Sequence, residues 1–167
     1  MTMTAVERIK HRYEHGSDRP LGSFLILLTI YSSSVSAAAG VLRHKGRRLP
    51  AEFPLRDVAL GMVATHKASR LLAKDPVSSP FRAPFTEFEG QSGESEVSEK
   101  VVGTGFSHAV GELVTCPFCL DMWVATAFVL GYVANPRLAR TAATVLTVVT
   151  GADLLQFGYD ALQRVAS

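Results

Sequence analysis

Apolar positions along this chain are gathered into blocks, and the charged residues fall between them. The clearest block runs from Leu21 to Leu42 without an ionisable side chain, with Arg19 before it and Arg43, Lys45, Arg47 and Arg48 after it. A helix rising about 1.5 Å per residue needs about 20 residues to cross about 30 Å of hydrocarbon, so this block predicts a spanning helix. The small residues Ser36 to Ala39 offer a cleaved signal peptide as the competing reading, which the length of the run and the basic cluster directly after it disfavour. Ser32, Ser36 and Gly40 recur every four residues, a stripe of small side chains where another helix backbone can approach closely. A helix of the same chain and a second copy of the chain fit that stripe equally.

The remaining blocks are less uniform. Residues 1–20 are polar, with Val6, Ile9 and Tyr13 spaced for a short amphipathic helix at an interface until Gly16, Asp18 and Pro20 break it. A second helical segment extends from about Pro54 to Ala73. Its uninterrupted apolar part, Val58 to Thr65, is too short to span unaided before His66, Lys67 and Arg70 intervene. It either spans with its charged end at the interface or is buried against the other helices. From Asp75 to about Gly105 the pattern is loop-like. Pro76, Pro80 and Pro84 open it, Phe81, Phe85 and Phe88 alternating with Arg82 and the prolines, Pro84 among them, suit a membrane surface, and the Ser-, Glu- and Gly-rich stretch within 86–104 predicts a flexible loop. A short helix at about Phe106 to Val114 leads through Cys116-Pro117-Phe118-Cys119 into the apolar block Leu120 to Ala134, which carries Trp123 as an interfacial residue. Asn135-Pro136 turns the chain into a last apolar block, Ala142 to about Tyr159.

The expected fold is an all-α integral membrane bundle of about four helices, three if the second segment does not span, with a partly disordered central loop. It divides into a polar segment 1–20, a helix and basic turn 21–50, and a membrane domain 51–167.

Composition adds two constraints. A formal charge of only +2, with basic residues beside apolar blocks rather than along one face, gives nothing to attract nucleic acid and makes the bilayer the expected partner. If four segments cross, ten Lys and Arg lie on the side of the termini and the 67–116 region against seven opposite; if three cross, the split is eleven to six. Both versions put the central loop in the cytoplasm by the positive-inside rule.

Several polar residues call for an explanation. His66 and Arg70, four apart, share a helix face, and Asp75 follows at the helix end. Asp153 stands in the last apolar block, with Arg70 or His66 as its expected partner, since a charge at the bilayer centre costs on the order of 3 kcal/mol without one. Cys116 and Cys119 are the chain's two cysteines. Their spacing fits thiol redox chemistry at a helix start, a zinc site completed by His108 or Glu112, or a packed pair of reduced thiols. No phosphate-binding glycine loop, G-x-S-x-G or H-E-x-x-H occurs, so no catalytic residues and no definite cofactor are expected.

The segments His66-Lys67-Ala68-Ser69-Arg70-Leu71, Asp75, Ser79-Pro80-Phe81-Arg82-Ala83-Pro84-Phe85 and Gly111-Glu112-Leu113-Val114-Thr115-Cys116-Pro117-Phe118-Cys119, followed by Trp123, resemble the bacterial membrane protein family known as domain of unknown function 1360. The resemblance covers about residues 55–160. It implies a small multi-pass protein of the bacterial plasma membrane, with some relatives tied to sporulation and no established activity. It singles out Arg70, Asp75, Arg82, Pro84, Phe85, Gly111, Glu112, Cys116, Cys119 and Trp123. The leading expectation is a non-enzymatic membrane protein in which Arg70, Asp75, Arg82 and Glu112 cluster at the cytoplasmic face for contact with a protein partner or lipid. The alternatives are a thiol-redox or metal-binding membrane protein, and an oligomeric transporter using His66, Arg70 and Asp153.

Overall fold

The computed structural model describes residues 4–14, 20–93 and 95–166. The expected breakers Gly16 and Asp18, and Arg19, lie outside them, as does the side chain of Val6. Helix α1 (Ala5–Glu14) starts from a reciprocal cap: the Thr4 hydroxyl accepts from the Glu7 amide, and Glu7 Oε2 accepts from the Thr4 amide at 2.7 Å. Ile9 and Tyr13 are exposed.

Helix α2 (Leu21–His44) fills the first apolar block. It ends because Gly46, at φ +72°, takes the left-handed turn that lets the Gly46 amide donate to Arg43 and the Arg47 amide to Leu42. Helix α3 (Leu55–Lys74) follows Pro54 and stops at Asp75, held extended by Pro76 behind it. A short 3-10 turn (Pro76–Ser78) and the single turn α4 (Ser79–Arg82) lead to strands β1 (Thr86–Gly93) and β2 (Glu96–Val101). Helices α5 (Gly105–Thr115), α6 (Pro117–Ala134) and α7 (Pro136–Ala166) complete the chain, and the Asn135 side chain accepts from the Leu138 amide at the start of α7.

The hairpin corrects the expectation of an all-α fold with a flexible loop at 86–104. Strands β1 and β2 pair antiparallel, Thr86 opposite Val101 and Gly93 opposite Glu96, with irregularities at Phe88/Gly90 and Gln91/Gly93. Low hydrophobicity predicts disorder only where a segment must bury its own core. Here Val97 is buried against the rest of the molecule, and Glu96 and Glu99 find arginines.

Among the described residues three helices, α2, α6 and α7, are long and apolar enough to cross a membrane. Helix α3 is not as apolar, yet it lies along both α6 and α7. Contacts Asp57 to Arg140 and Lys67 to Asp153 run in the same order on both helices, so α3 and α7 are parallel. Gly61 beside Tyr132 and Ser69 bonded to Asp121 run in opposite order, so α3 and α6 are antiparallel. Tyr31 bonds to Thr126, and Ala38 and Leu42 lie beside Leu130 and Ala134, so α2 runs with α6.

Small side chains line the closest approaches between these helices, with Tyr132 and Val133 of α6 also buried. Ala64, Ala73, Ala139 and Ala143 are buried, allowing backbones to approach closely. Large apolar side chains stand on the exterior, with Leu25, Leu28, Met62, Val148 and Leu154 all exposed. Ser32, Ser36 and Gly40 also face outward, so that stripe is not used for packing within the chain.

Candidate functional site

Helix α3 carries a ladder of polar residues whose rungs are bonded to α7, α6 and β2. At its first turn, buried Asp57 accepts two hydrogen bonds from Arg140 of α7, at 2.8 and 2.7 Å. Three turns on, the Lys67 ammonium meets Asp153 of α7 at 2.6 Å. Ser69, 1% exposed, donates to Asp121 near the start of α6. Arg70 reaches Glu96 on β2, its Nε donating at 2.8 Å. These partners differ from the expected ones: Asp153 takes Lys67 rather than Arg70 or His66, because Lys67 sits on the α7-facing side of α3 while Arg70 points to the hairpin. His66 lines a groove between α3 and α6 together with Thr65 and Asp121.

Beyond α3 lies a second polar centre. Arg82, 1% exposed, donates to Glu99 through Nε and Nη2, to the Leu72 carbonyl at 2.7 Å, to the Asp75 carbonyl at 3.1 Å and to the Ser78 and Ser79 hydroxyls. One guanidinium thus ties the end of α3, the 3-10 turn, α4 and the hairpin together. Burial pushes the Glu99 carboxyl up, but hydrogen bonds from Arg82 and Ser79 and the charges of Arg82 and Lys74 outweigh it and hold the carboxyl below the usual carboxylate range. The Asp75 side chain is occupied locally, accepting from the Val77 amide at 2.8 Å.

The expected cluster of Arg70, Asp75, Arg82 and Glu112 is therefore not one site. Arg70 and Arg82 are bound to separate glutamates of β2, and Glu112 pairs with His108 one turn away on α5 at 3.3 Å. Phe81 and Pro84 are exposed, whereas Phe85 is half-buried beside Gly111. Trp123 packs edge-on against Tyr31 at a ring separation of 5.0 Å.

Cys116 and Cys119 are free thiols with sulfurs 2.7 Å apart at the start of α6, and the Cys116 sulfur accepts from the Cys119 amide. Among the described residues no group of three or more His, Cys, Asp or Glu side chains is placed to hold a metal ion. A zinc ion would find two sulfurs there, with His108 turned to Glu112, which falls short of the four donors a structural site requires.

Glu96, Glu99, Asp121 and the Asp57–Arg140 pair are the polar residues that sequence reasoning left out. The signal for the two glutamates is a period-two alternation at Thr86-Glu87-Phe88-Glu89 with glycines before the second strand.

These features define a small, mainly helical protein with three helices suited to crossing a bilayer and a hairpin cap at one end of the bundle. Residues 60–159, more than half of the chain, match the family described as protein of unknown function (DUF1360), and the chain belongs to that family. It is similar to the sporulation protein YjcA of Bacillus subtilis (strain 168), at 26% identity over 102 residues covering 59% of this chain and 86% of the relative. None of the solved structures matches it.

Proposed function

We propose that this is a non-enzymatic, four-crossing protein of the bacterial plasma membrane whose cytoplasmic hairpin cap receives a protein partner. The observation that carries the membrane reading is the direction of the helices. Helix α2 runs with α6, so a chain carried across by α2 has to return before α6 begins. Helix α3, antiparallel to α6 and packed along it, is the segment that returns. Its charges do not forbid this, because Asp57 and Lys67 are each neutralised by α7 and Arg70 by the hairpin. Four crossings put the termini and the cap on one side, with ten Lys and Arg against seven, and that side is the cytoplasm.

The cap supports a binding rather than a catalytic role. Its polar groups are consumed in holding the hairpin, and the hairpin presents exposed Phe88 between exposed Glu87 and Glu89. The relative is named for sporulation, a process rather than a reaction. Thiol labelling of intact cells tests the topology: Cys116 and Cys119 should react with membrane-permeant reagents only. Labelling by an impermeant reagent would overturn the orientation. A Phe88→Ala variant, with the fold intact, should shift the protein to a smaller native complex; an unchanged complex size would remove the partner role.

A second reading is favoured by the adjacent sulfurs and the exposed Cys119 at a helix start, which suit a thiol-redox pair. Alkylation and mass analysis across a range of thiol–disulfide poises decides it, since a redox pair gains and loses two alkylatable thiols together.

A further inference from the structure

We infer that the end of the bundle opposite the hairpin is a binding site for an anionic phospholipid, seated with one acyl chain between α3 and α6 and its phosphate among the arginines of the α2–α3 loop. The inference rests on the membrane reading above.

Two hollows meet at this end. The first, about 590 Å³, is an apolar groove between α3 and α6 walled by Val58, Gly61, Met62, Met122, Ala125 and Val129. It extends from Asp57 toward His66, roughly 14 Å of helix, the scale of an acyl chain rather than of a compact metabolite. The second, about 410 Å³, has charged residues in its wall, Arg47, Arg48, Glu52 and Arg140. Phe53, Asp57 and Tyr132 line both, so the hollows adjoin, mainly apolar along the bundle as far as Thr65, His66 and Asp121 and charged at its mouth.

Two observations point to an occupant. Tyr132 is 7% exposed, and its buried hydroxyl has no hydrogen-bond partner among the described residues, although it stands where the two hollows join. A buried hydroxyl without a partner costs on the order of 1–3 kcal/mol, and an ester or phosphate oxygen at this junction would satisfy it. The second observation is charge. This end carries Arg43, Lys45, Arg47, Arg48, Arg56, Arg137 and Arg140 against Glu52 and Asp57. Arg140 is held by Asp57, whereas Arg47 and Arg48 are exposed and form no ion pair among the described residues. In the proposed orientation these cations lie on the face where the positive-inside rule disfavours them, and an anionic headgroup compensates.

The test uses the full-length protein in detergent, titrated with phosphatidylglycerol, phosphatidylcholine or inorganic phosphate while its melting temperature and retained lipid are followed. Phosphatidylglycerol should raise the melting temperature and be retained; phosphatidylcholine and inorganic phosphate should not. Arg47→Ala with Arg48→Ala should weaken phosphatidylglycerol binding roughly thirtyfold. Ala125→Trp, which fills the groove without altering charge, should abolish it, and Tyr132→Phe, which removes only the orphan hydroxyl, should weaken it a few-fold. Equal response to the two lipids overturns the proposal. So does loss of binding in the arginine variant but not in Ala125→Trp, which would mean surface attraction alone. A change in oligomeric size with Ala125→Trp overturns it in favour of a second copy in the groove. Resistance of the protein to alkaline extraction from membranes is scored separately, so failure of the membrane reading is told apart from failure of the lipid site.

Discussion

Glu99 of β2 and Arg82 of α4 form an ion pair almost completely withdrawn from solvent, their side chains 6% and 1% exposed. Removing one partner of a buried pair leaves the other charged and unpaired, which costs about 3–5 kcal/mol. Arg82→Ala and Glu99→Gln should each lower the unfolding midpoint in a denaturing-detergent titration by that order. Limited proteolysis should cut first within the hairpin, because its ties to α3 run through Arg82 and Arg70 and only the Arg70–Glu96 contact remains.

The same pair predicts a dependence on pH. The folded Glu99 carboxyl lies below its ordinary range, so its stabilisation is fully present above the ordinary carboxylate pKa and is lost as pH falls through the lowered folded value. Melting temperature should therefore decline in acid. The Glu99→Gln protein should start lower and lose less over the same interval; a parallel decline in both proteins would show that Glu99 is not the responsive group.

Most of the helical frame was legible in the sequence because helix length in apolar blocks is a local property. Leu21 to Leu42, Leu120 to Ala134 and the block ending near Tyr159 all lie inside observed helices. The partners were not legible, because pairing depends on how helices are rotated against one another. Lys67 and Arg70 stand three apart on one helix, yet one meets α7 and the other the hairpin. The hairpin was hidden for a related reason: its own composition is that of a solvated loop, and its anchors, Arg70 and Arg82, lie outside it.

Gly111 shows what a resemblance leaves unexplained and geometry supplies. A methyl group at this position would lie 2.5 Å from the Val101 Cγ1 and 3.1 Å from the Phe85 carbonyl oxygen, so α5 can press on the base of the hairpin only without a side chain there. Gly111→Ala should destabilise by about 1–3 kcal/mol despite its better helix propensity. Trimming the obstacle with Val101→Ala in the same chain should recover part of that loss in detergent unfolding, whereas additive losses would place the strain elsewhere.

Lys67 and Asp153 offer the sharpest test of whether α3 lies within the bilayer. Their 2.6 Å contact joins the middle of α3 to α7, with side chains 22% and 35% exposed. At an aqueous surface such a pair contributes at most about 1 kcal/mol, and either single substitution would be mild. Within hydrocarbon, Lys67→Met leaves an uncompensated carboxylate and Asp153→Leu an uncompensated ammonium, each costing about 3 kcal/mol on insertion scales. The double variant removes both charges. A crossing α3 therefore predicts two variants with low membrane yield and a double variant restored to wild-type yield or above, because replacing an ion pair by apolar groups is often neutral or stabilising. Mild singles with no rescue in the double variant would place α3 at the aqueous boundary and remove the fourth crossing.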